Sequence, residues 1–474
     1  MREQLNIQAI INSPSKAVYF IGIGGIGMSA IARYFHSLNI NVSGYDKTPT
    51  GLTHELESEG IAVHYTDDIA LIPKNVALVV YTPAVPQEHT ELNFYRDNNY
   101  PIAKRSEVLG AITEHTQNIC IAGTHGKTTT STMIAHILRD SGYGCNAFLG
   151  GISVNYNTNF WSSKNAVSVV EADEYDRSFL KLSPDTAVIT SMDADHLDIY
   201  GDEATMQDAF VEFGNKVKEA GLLINKFGLP RMREVKRSKW SYSLQNSSAD
   251  IFASNIKIEN GGYDYDVQLK DTAIAGLRLN IGGMHNVENS VVAGVAVAHS
   301  LDINAEKIKS AVASFKGVKR RFEYIIAPQP QQQGGYVYPV FIDDYAHHPE
   351  ELAALLKSAR SLFPQRRLTV VFQPHLYTRT RDLANGFANS LSIADNVILL
   401  PIYPARELAV EGVSSELILS KITSENKQLL TKEGLLQWMQ QHQFNKEFGE
   451  VIITAGAGDI DALVQPLKQI IEKA

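Results

Sequence analysis

The stretch that decides the fold is "IAGTHGKTTTSTMI", residues 121–134. An apolar run, "NICIAG", leads into it and a helix-forming segment follows, so it reads as strand, glycine-rich turn and helix. The spacing is not the usual phosphate-loop pattern G-x-x-x-x-G-K-[ST]. Only Thr124 and His125 separate Gly123 from Gly126, and Lys127, Thr128 and Thr129 come next. A loop this short can still wrap phosphate oxygens with backbone N–H groups at the positive end of a helix. Lys127 supplies a point charge toward the β- and γ-phosphates, and the Thr128 hydroxyl is a hard oxygen ligand for Mg²⁺. Residues 123–129 are therefore expected to hold ATP. His125 sits among them without a derived role.

Upstream lies a second glycine loop. "KAVYFIGIGG" is a strand ending in glycines, and "GMSAIARYFHSL" carries apolar residues at helical spacing. Gly22, Gly24 and Gly27 fit G-x-G-x-x-G, which brings backbone N–H groups close to a diphosphate. Asp46 ends the next strand, 19 residues after Gly27, where dinucleotide folds place an acid on a ribose hydroxyl. These residues call for a diphosphate-bearing nucleotide without saying which. On them alone, a nicotinamide-dependent dehydrogenase fits.

Downstream, "VVEADEYDRSFL" and "MDADHLD" put acids after apolar strands, at the carboxyl ends that line the ligand crevice of a parallel sheet. Glu171 and His196 are the candidate metal ligands to join Thr128, ahead of Asp193, Asp195 and Asp198. The β-α alternation is expected to continue to about Gly317. "PQPQQQGG", residues 328–335, then reads as the tip of a hairpin between "FEYIIA" and "YVYPVFIDDYAHH". "RLTVVFQPH", "NVILLPIY" and "EVIITAGAGD" make a third strand-helix series. The prediction is three α/β domains, residues 1–107, 108–322 and 323–474.

Bulk composition agrees with this division. The 474 residues exceed what one core ordinarily serves, and 44% hydrophobic with 20% charged residues is globular composition. A net charge of -9 argues against nucleic acid as the main partner. The basic run "RMREVKRSK", residues 231–239, reads as a solvated surface segment. Cys120 and Cys145 are too few for a disulfide framework. The N-terminal "MREQLNIQAIINSPS" lacks the layout of a secretory signal, and no apolar run approaches the roughly 20 residues of a membrane span. A cytoplasmic protein with neither nucleic-acid nor membrane partner is expected, as monomer or homodimer.

The ordered set "GIGGIGMSAIA", "GTHGKTTT", "EADEYDRSFL", "DADHLD", "HNVEN", "RRFE", "DDYAHHP", "FQPHLYTRT" and "GAGD" resembles the Mur ligase family along essentially the whole chain, and its alanine-adding branch in particular. The resemblance implies a three-domain Mur ligase architecture: a Rossmann-like N-terminal domain for the UDP-sugar, a P-loop-type central ATPase domain and a Rossmann-like C-terminal domain for the amino acid. It implies UDP-N-acetylmuramate, ATP and L-alanine as substrates and Mg²⁺ as cofactor. Gly22, Gly24, Gly25 and Gly27 would then hold the UDP diphosphate, with Thr82 beside them and Asp46 toward the uridine. Lys127 and Thr128 match the ATP-phosphate lysine and the Mg²⁺ threonine, and Glu171 and His196 the residues around metal. His285, Asn286 and Asn289 match the family's adenine-side HNxxN. Arg321 and Asp344 match residues at the nucleotide's phosphate and ribose. Tyr345, His347, His375 and Arg379 match the amino-acid and acyl-phosphate site. The amine must lose a proton before it attacks, for which His347 is the candidate base and His196 the runner-up, with His348 structural. Two departures stand out. The carbamylated lysine of several relatives would fall near Val211, with no lysine before Lys216 and Lys218, so none is expected. Leu376 replaces a frequent arginine, leaving Arg379 and Arg381 to supply the charge. The rivals are a recycling ligase adding a preformed tripeptide, a nicotinamide oxidoreductase and a non-catalytic sensor of UDP-sugar.

Overall fold

A computed structural model describes residues 6–11, 16–114, 116–193, 197–270, 272–292, 297–329, 337–405 and 407–473. The chain forms two compact units. One holds Met1–Ala253, Val267–Ile274 and Asn289–Val312; the other holds Ser254–Asp266, Ala275–Glu288 and Ala313–Ala474.

The first sheet is parallel throughout: β1 Ala17–Ile21, β2 Val42–Tyr45, β3 Ala62–His64, β4 Val76–Tyr81 and β5 Ile102–Lys104. Its order is β3-β2-β1-β4-β5. The chain therefore winds outward from β1 in one direction and resumes on its other side at β4. The carboxyl end of β1, where Gly22 lies, is the switch point at which such sheets open a crevice. All five residues of β1 are apolar or aromatic and buried, as a central parallel strand requires.

The second sheet is built on β6 Gln117–Ala122, β7 Asn146–Ser153, β8 Thr158–Trp161, β9 Val167–Glu171, β10 Thr186–Ile189, β11 Leu222–Lys226 and β12 Lys239–Ser243. These run in the order β12-β11-β10-β6-β9-β7-β8, and the β7–β8 hairpin is antiparallel. The expected β-α alternation stops at β12. Three successive strands follow with no helix between them: β13 Ile251–Glu259, β14 Gly262–Gln268 and β15 Ala273–Leu279. The cause is local. Asn260 and Gly261 both take positive φ, 47° and 70°, the backbone of a tight hairpin turn.

Both glycine loops end at a helix without a side-chain cap. Gly25 precedes Ile26–Ser37 and Gly126, at φ 81°, precedes Lys127–Asp140. Thr50, Asp202 and Thr431, by contrast, cap their helices by accepting backbone N–H groups. No N-cap side chain therefore takes a first-turn N–H of either loop helix.

A buried seam joins the first sheet to the second. Arg33 Nη1 donates to Asn159 Oδ1 at 2.5 Å, and Asn159 Nδ2 donates to Ile26 O at 2.6 Å and Ser29 Oγ at 2.9 Å. Glu59 takes the other side of the Arg33 guanidinium at 2.7–3.0 Å. Tyr34 packs on Phe148 and Phe160 at 5.6 and 6.2 Å between ring centres. One continuous apolar core accordingly includes Phe35 from the first sheet's helix and Phe148, Phe179 and Phe213 from the second layer.

The second unit carries β16 Glu323–Ile326, β17 Val340–Asp344, β18 Arg367–Phe372, β19 Asn396–Leu399, β20 Asn426–Leu429 and β21 Glu450–Ala455, in the order β16-β17-β21-β18-β19-β20. Only β16 is antiparallel, pairing with β17 as the expected hairpin. The middle of its loop, 330–336, lies outside the described residues. The basic run folds as a short turn whose Met232 and Val235 are buried. No described helix is long and apolar enough to cross a membrane.

Candidate active site

At the first loop, Gly22 has φ +86°, and a Cβ there would come 2.7 Å from Thr82 Cγ2. Asp46 Oδ2 accepts the Gly24 N–H at 2.7 Å and Oδ1 the Thr48 N–H at 3.3 Å, so this carboxylate closes the loop it follows. In front of the loop is a cavity of about 310 Å³ lined by Gly25, Gly27, Thr82, Arg105, Glu171 and Asp173. Arg105 lies along the helix start: a Cβ on Gly27 would sit 2.7 Å from its Nη1. Its Nη2 is 3.4 Å from Asp173 Oδ2.

At the second loop the backbone is clamped from β10. Gly123 has φ +135°, and a Cβ there would press on the Ser191 and Thr190 nitrogens at 2.8 and 3.0 Å. Thr190 Oγ1 donates to His125 O at 2.5 Å, and Ser191 Oγ accepts the His125 N–H at 2.7 Å. The Thr124 and Ser191 hydroxyls meet at 2.9 Å. Asn289 also reaches this loop, its Oδ1 3.0 Å from where a Gly126 Cβ would be. The His125 ring is mostly exposed, 3.6 Å from Asp193 Oδ2. Lys127 Nζ donates to Gly123 O at 2.6 Å and to Glu174 Oε1 at 2.8 Å, with a longer approach to Thr124 O at 3.4 Å. Glu174 is fully buried. Burial pushes its carboxyl above the ordinary range, against the opposing pull of Lys127.

Glu171 connects the two places. It ends β9 level with Ile121 of β6, which sets it beside the second loop. Its Oε1 accepts from Thr128 Oγ1 at 3.0 Å, and its Oε2 accepts the Gly150 N–H at 3.0 Å. A Cβ on Gly150 would overlap this carboxylate. The pair fits a small hard cation. A hydroxyl and a carboxylate are the oxygen ligands that such a cation takes, and here they already meet in a hydrogen bond. His196, Asp195 and the Asp198 side chain lie outside the described residues.

A separate carboxylate–histidine group, Asp67, His89 and Glu91, has ligand atoms close enough for a metal. Its carboxylates are already occupied. Asp67 accepts the Thr90 and Glu91 N–H groups, and Glu91 accepts from Tyr19, His64 and the Asp68 N–H. It is a structural clasp at a helix start.

In the second unit, Tyr345, His347, His375 and Arg379 come together. The Tyr345 and His347 rings are 5.2 Å apart, the His347 and His375 rings 6.2 Å, and Arg379 Nη1 is 3.5 Å from His375 Nδ1. Burial, and then Arg379 and His347, hold His375 below the ordinary imidazole range. His347 Nδ1 faces Tyr345 O at 3.0 Å. A carbonyl can only accept, so Nδ1 is the donor there, and in the neutral imidazole Nε2 would hold the lone pair. His348 is the N-cap residue of helix Pro349–Leu362, and Glu351 Oε2 accepts the N–H of both histidines at 2.9 and 3.1 Å. Asp344 accepts the Phe322 and Ala346 N–H groups at 2.6 and 2.7 Å, while burial pushes it up to about 6. Asn286 is buried and donates to Gly282 O at 2.6 Å, whereas His285 and Arg321 are exposed. Leu376 holds φ +71°, a strained backbone for a branched residue, fixed by its N–H on Tyr403 O at 2.9 Å. Arg381 is engaged by Asp382 at 2.7 Å and is not part of the His375 group, which leaves Arg379 as its arginine.

Several residues were not singled out from sequence. Arg105 and Gly150 are remote from every loop they serve, and Thr190 and Ser191 are ordinary strand-end hydroxyls. Asp173 and Glu174 stood in plain view within "EADEYDRSFL", where only the first acid was chosen. Their roles depend on how the segment turns.

Comparison with known proteins places these features in a family. The Mur ligase family catalytic-domain model matches residues 17–117, the Mur ligase middle-domain model 121–297, and the Mur ligase glutamate-ligase-domain model 320–458. The UDP-N-acetylmuramate–L-alanine ligases of Cytophaga hutchinsonii and Porphyromonas gingivalis are 48% and 47% identical to the chain, over 96% of it and 97% and 99% of their own lengths. The crystal structure of the UDP-N-acetylmuramate–alanine ligase of Thermotoga maritima superposes with a TM-score of 0.78 at 25% identity, covering 96% of this chain and 98% of that one. A murein peptide ligase of Psychrobacter arcticus shares the fold, with a TM-score of 0.65 at 22% identity over 97% of this chain and 99% of its own. Matched by three successive domain models and by relatives along nearly its full length, the chain belongs to the Mur ligase family.

Proposed function

We propose that this protein is an ATP-dependent ligase that joins L-alanine to the muramoyl carboxylate of UDP-N-acetylmuramate through an acyl phosphate, releasing ADP and phosphate, in peptidoglycan precursor synthesis. The observation that carries the reading is the double membership of Glu171. It is bonded to Thr128 of the ATP loop and also lines the cavity before the Gly22 loop. A carboxylate held in that cavity is therefore next to the residues that would handle a γ-phosphate.

The chemistry requires such an arrangement. A carboxylate does not condense with an amine in neutral water because oxide is too poor a leaving group. In-line attack of its oxygen on the γ-phosphate forms a C–O–P bond and expels ADP. The amine then adds to the acyl carbon, and the tetrahedral oxyanion collapses to amide and phosphate. Most of what a protein contributes to phosphoryl transfer is positioning and preorganised charge. Lys127 offers its ammonium to the transferring group. The uncapped starts of the two loop helices offer backbone N–H groups to the phosphates of each nucleotide. We assign Mg²⁺ to Thr128 and Glu171, with His196 as further ligand; an ion held there would supply positive charge for the phosphates. His285, Asn286, Asn289, Arg321 and Asp344 are assigned to the nucleotide. Tyr345, His347, His375 and Arg379 are assigned to the amino acid, with His347 Nε2 as the atom that takes the amine's proton.

The three predicted segments, 1–107, 108–322 and 323–474, would then each bring one substrate. Both cysteines are buried free thiols, which suits a cytoplasmic site of action. Phosphate release with UDP-N-acetylmuramate, ATP and a panel of acceptors tests the whole reading. L-alanine is expected to stimulate release most; stimulation only by a preformed tripeptide, or by none, would replace it. Under single turnover, His347→Ala should slow amide formation while the acyl phosphate still accumulates. Unchanged amide formation would remove His347 from the role.

A further inference from the structure

We propose that Glu174 is a positioning residue for phosphoryl transfer, anchoring the Lys127 ammonium so that one of its N–H bonds is presented to the γ-phosphate. The inference rests on the ATP-dependent reading above.

The argument begins with donor geometry. An ammonium has three N–H bonds. Two are committed to short contacts, with Gly123 O at 2.6 Å and Glu174 Oε1 at 2.8 Å. The remaining approach, to Thr124 O, is 3.4 Å, so that N–H turns toward an incoming phosphate oxygen at the least loss. Burial then decides whether the ion pair persists. Glu174 is 0% exposed and the Lys127 side chain 14% exposed. A lysine that swung fully onto the nucleotide would break a buried ion pair, which is far costlier than losing a surface pair. The ammonium therefore stays on Glu174 and serves the phosphate with its third bond.

Glu174 is itself held in place. Its carbonyl accepts the Tyr200 O–H at 2.6 Å and the Arg177 N–H at 3.0 Å. Asp176 and Arg177 that follow both sit in the left-handed region, φ 54° and 53°, an arrangement non-glycine residues keep only when their surroundings enforce it. That turn folds the chain back beneath the loop. Glu171, at the strand end before it, accepts from Thr128, and Glu174, three residues on, accepts from Lys127. A single strand end thus sets the hydroxyl and the ammonium in register.

Steady-state phosphate release, nucleotide-analogue affinity and UDP-sugar affinity of Glu174→Ala and Glu174→Gln test this. Glu174→Ala should lower kcat about 10²-fold while KM for ATP and affinity for UDP-N-acetylmuramate move less than about threefold. Glu174→Gln keeps an acceptor at Oε1 and should recover kcat to within about tenfold of the unaltered protein. In a Lys127→Ala background, Glu174→Gln should change residual activity and ATP-analogue affinity no further, because the residue acts through Lys127. A kcat for Glu174→Ala within about twofold of the unaltered enzyme overturns the inference. So does an equal loss with and without Lys127, or a loss shared with UDP-sugar affinity. If the unaltered protein releases no phosphate with all three substrates, the functional reading fails instead.

Discussion

The two glycine loops stand on the same unit and end the same way, in a helix start with no side-chain cap, yet they obtain positive charge differently. At the Gly22 loop the charge comes from outside. Arg105 reaches in across the helix start and shares itself with Asp173, and the loop is closed by the Asp46 carboxylate. At the Gly123 loop the charge is built in. Lys127 is the first residue of the helix, tied back to the loop's own carbonyl and to a buried acid, while Thr190 and Ser191 brace the backbone. A part-exposed, remote cation is suited to holding a substrate. A cation braced by a buried carboxylate and a loop carbonyl readjusts less, and fixed charge is what lowers a barrier. On the proposed assignment, similar glycine loops divide binding from chemistry between them.

Lys127→Ala is the severest way to break the comparison. Phosphate release should fall by about 10³-fold or more, while calorimetry finds UDP-N-acetylmuramate bound as before; a parallel loss of sugar-nucleotide affinity would erase the division. Gly150→Ala drives a methyl group into the Glu171 carboxylate. The Mg²⁺ concentration for half-maximal rate should rise about tenfold or more, read from a metal titration of phosphate release. For Arg105→Met the expected sign is reversed between sites: affinity for UDP-N-acetylmuramate weakens about tenfold and loses part of its salt dependence, with KM for ATP unchanged. Ser191→Ala removes one brace, about 1 kcal/mol, and should raise KM for ATP a few-fold without altering UDP-sugar binding. Smallest of all, bicarbonate-free buffer should leave kcat where it was. Val211, near which the family resemblance would place a modified lysine, packs on the core, and Lys218 is engaged by Asp185 at 2.8 Å.

What could be read from sequence was whatever is local. Gly22 and Gly123 declare themselves because a positive φ and a close backbone approach leave glycine as the fitting residue. The strands declare themselves as unbroken apolar runs. Glu171 was found because strand ends in parallel sheets face the crevice. Glu174 was not, because three residues after a strand the direction of a side chain depends on a turn, and nothing in "EADEYDRS" announces that Asp176 and Arg177 adopt left-handed backbone. Arg105 was missed because it serves a loop far upstream of it. The run β13–β15 breaks the expected alternation, although Asn260-Gly261 carries the signature of a tight turn. In the second unit the cluster of Tyr345, His347, His375 and Arg379 was legible only through family resemblance, since no spacing rule brings "DDYAHHP" to "FQPHLYTRT".

The Arg33–Asn159 seam has a consequence for heredity rather than for catalysis. The apparent boundary near residue 107 looks like a natural place to exchange pieces between relatives. A crossover there would separate a buried guanidinium from the amide that satisfies it and set Tyr34 against a foreign hairpin. Functional chimeras should survive when residues 17–161 come from one parent and die when they are divided. The module that evolution can trade is larger than the first sheet that the eye picks out.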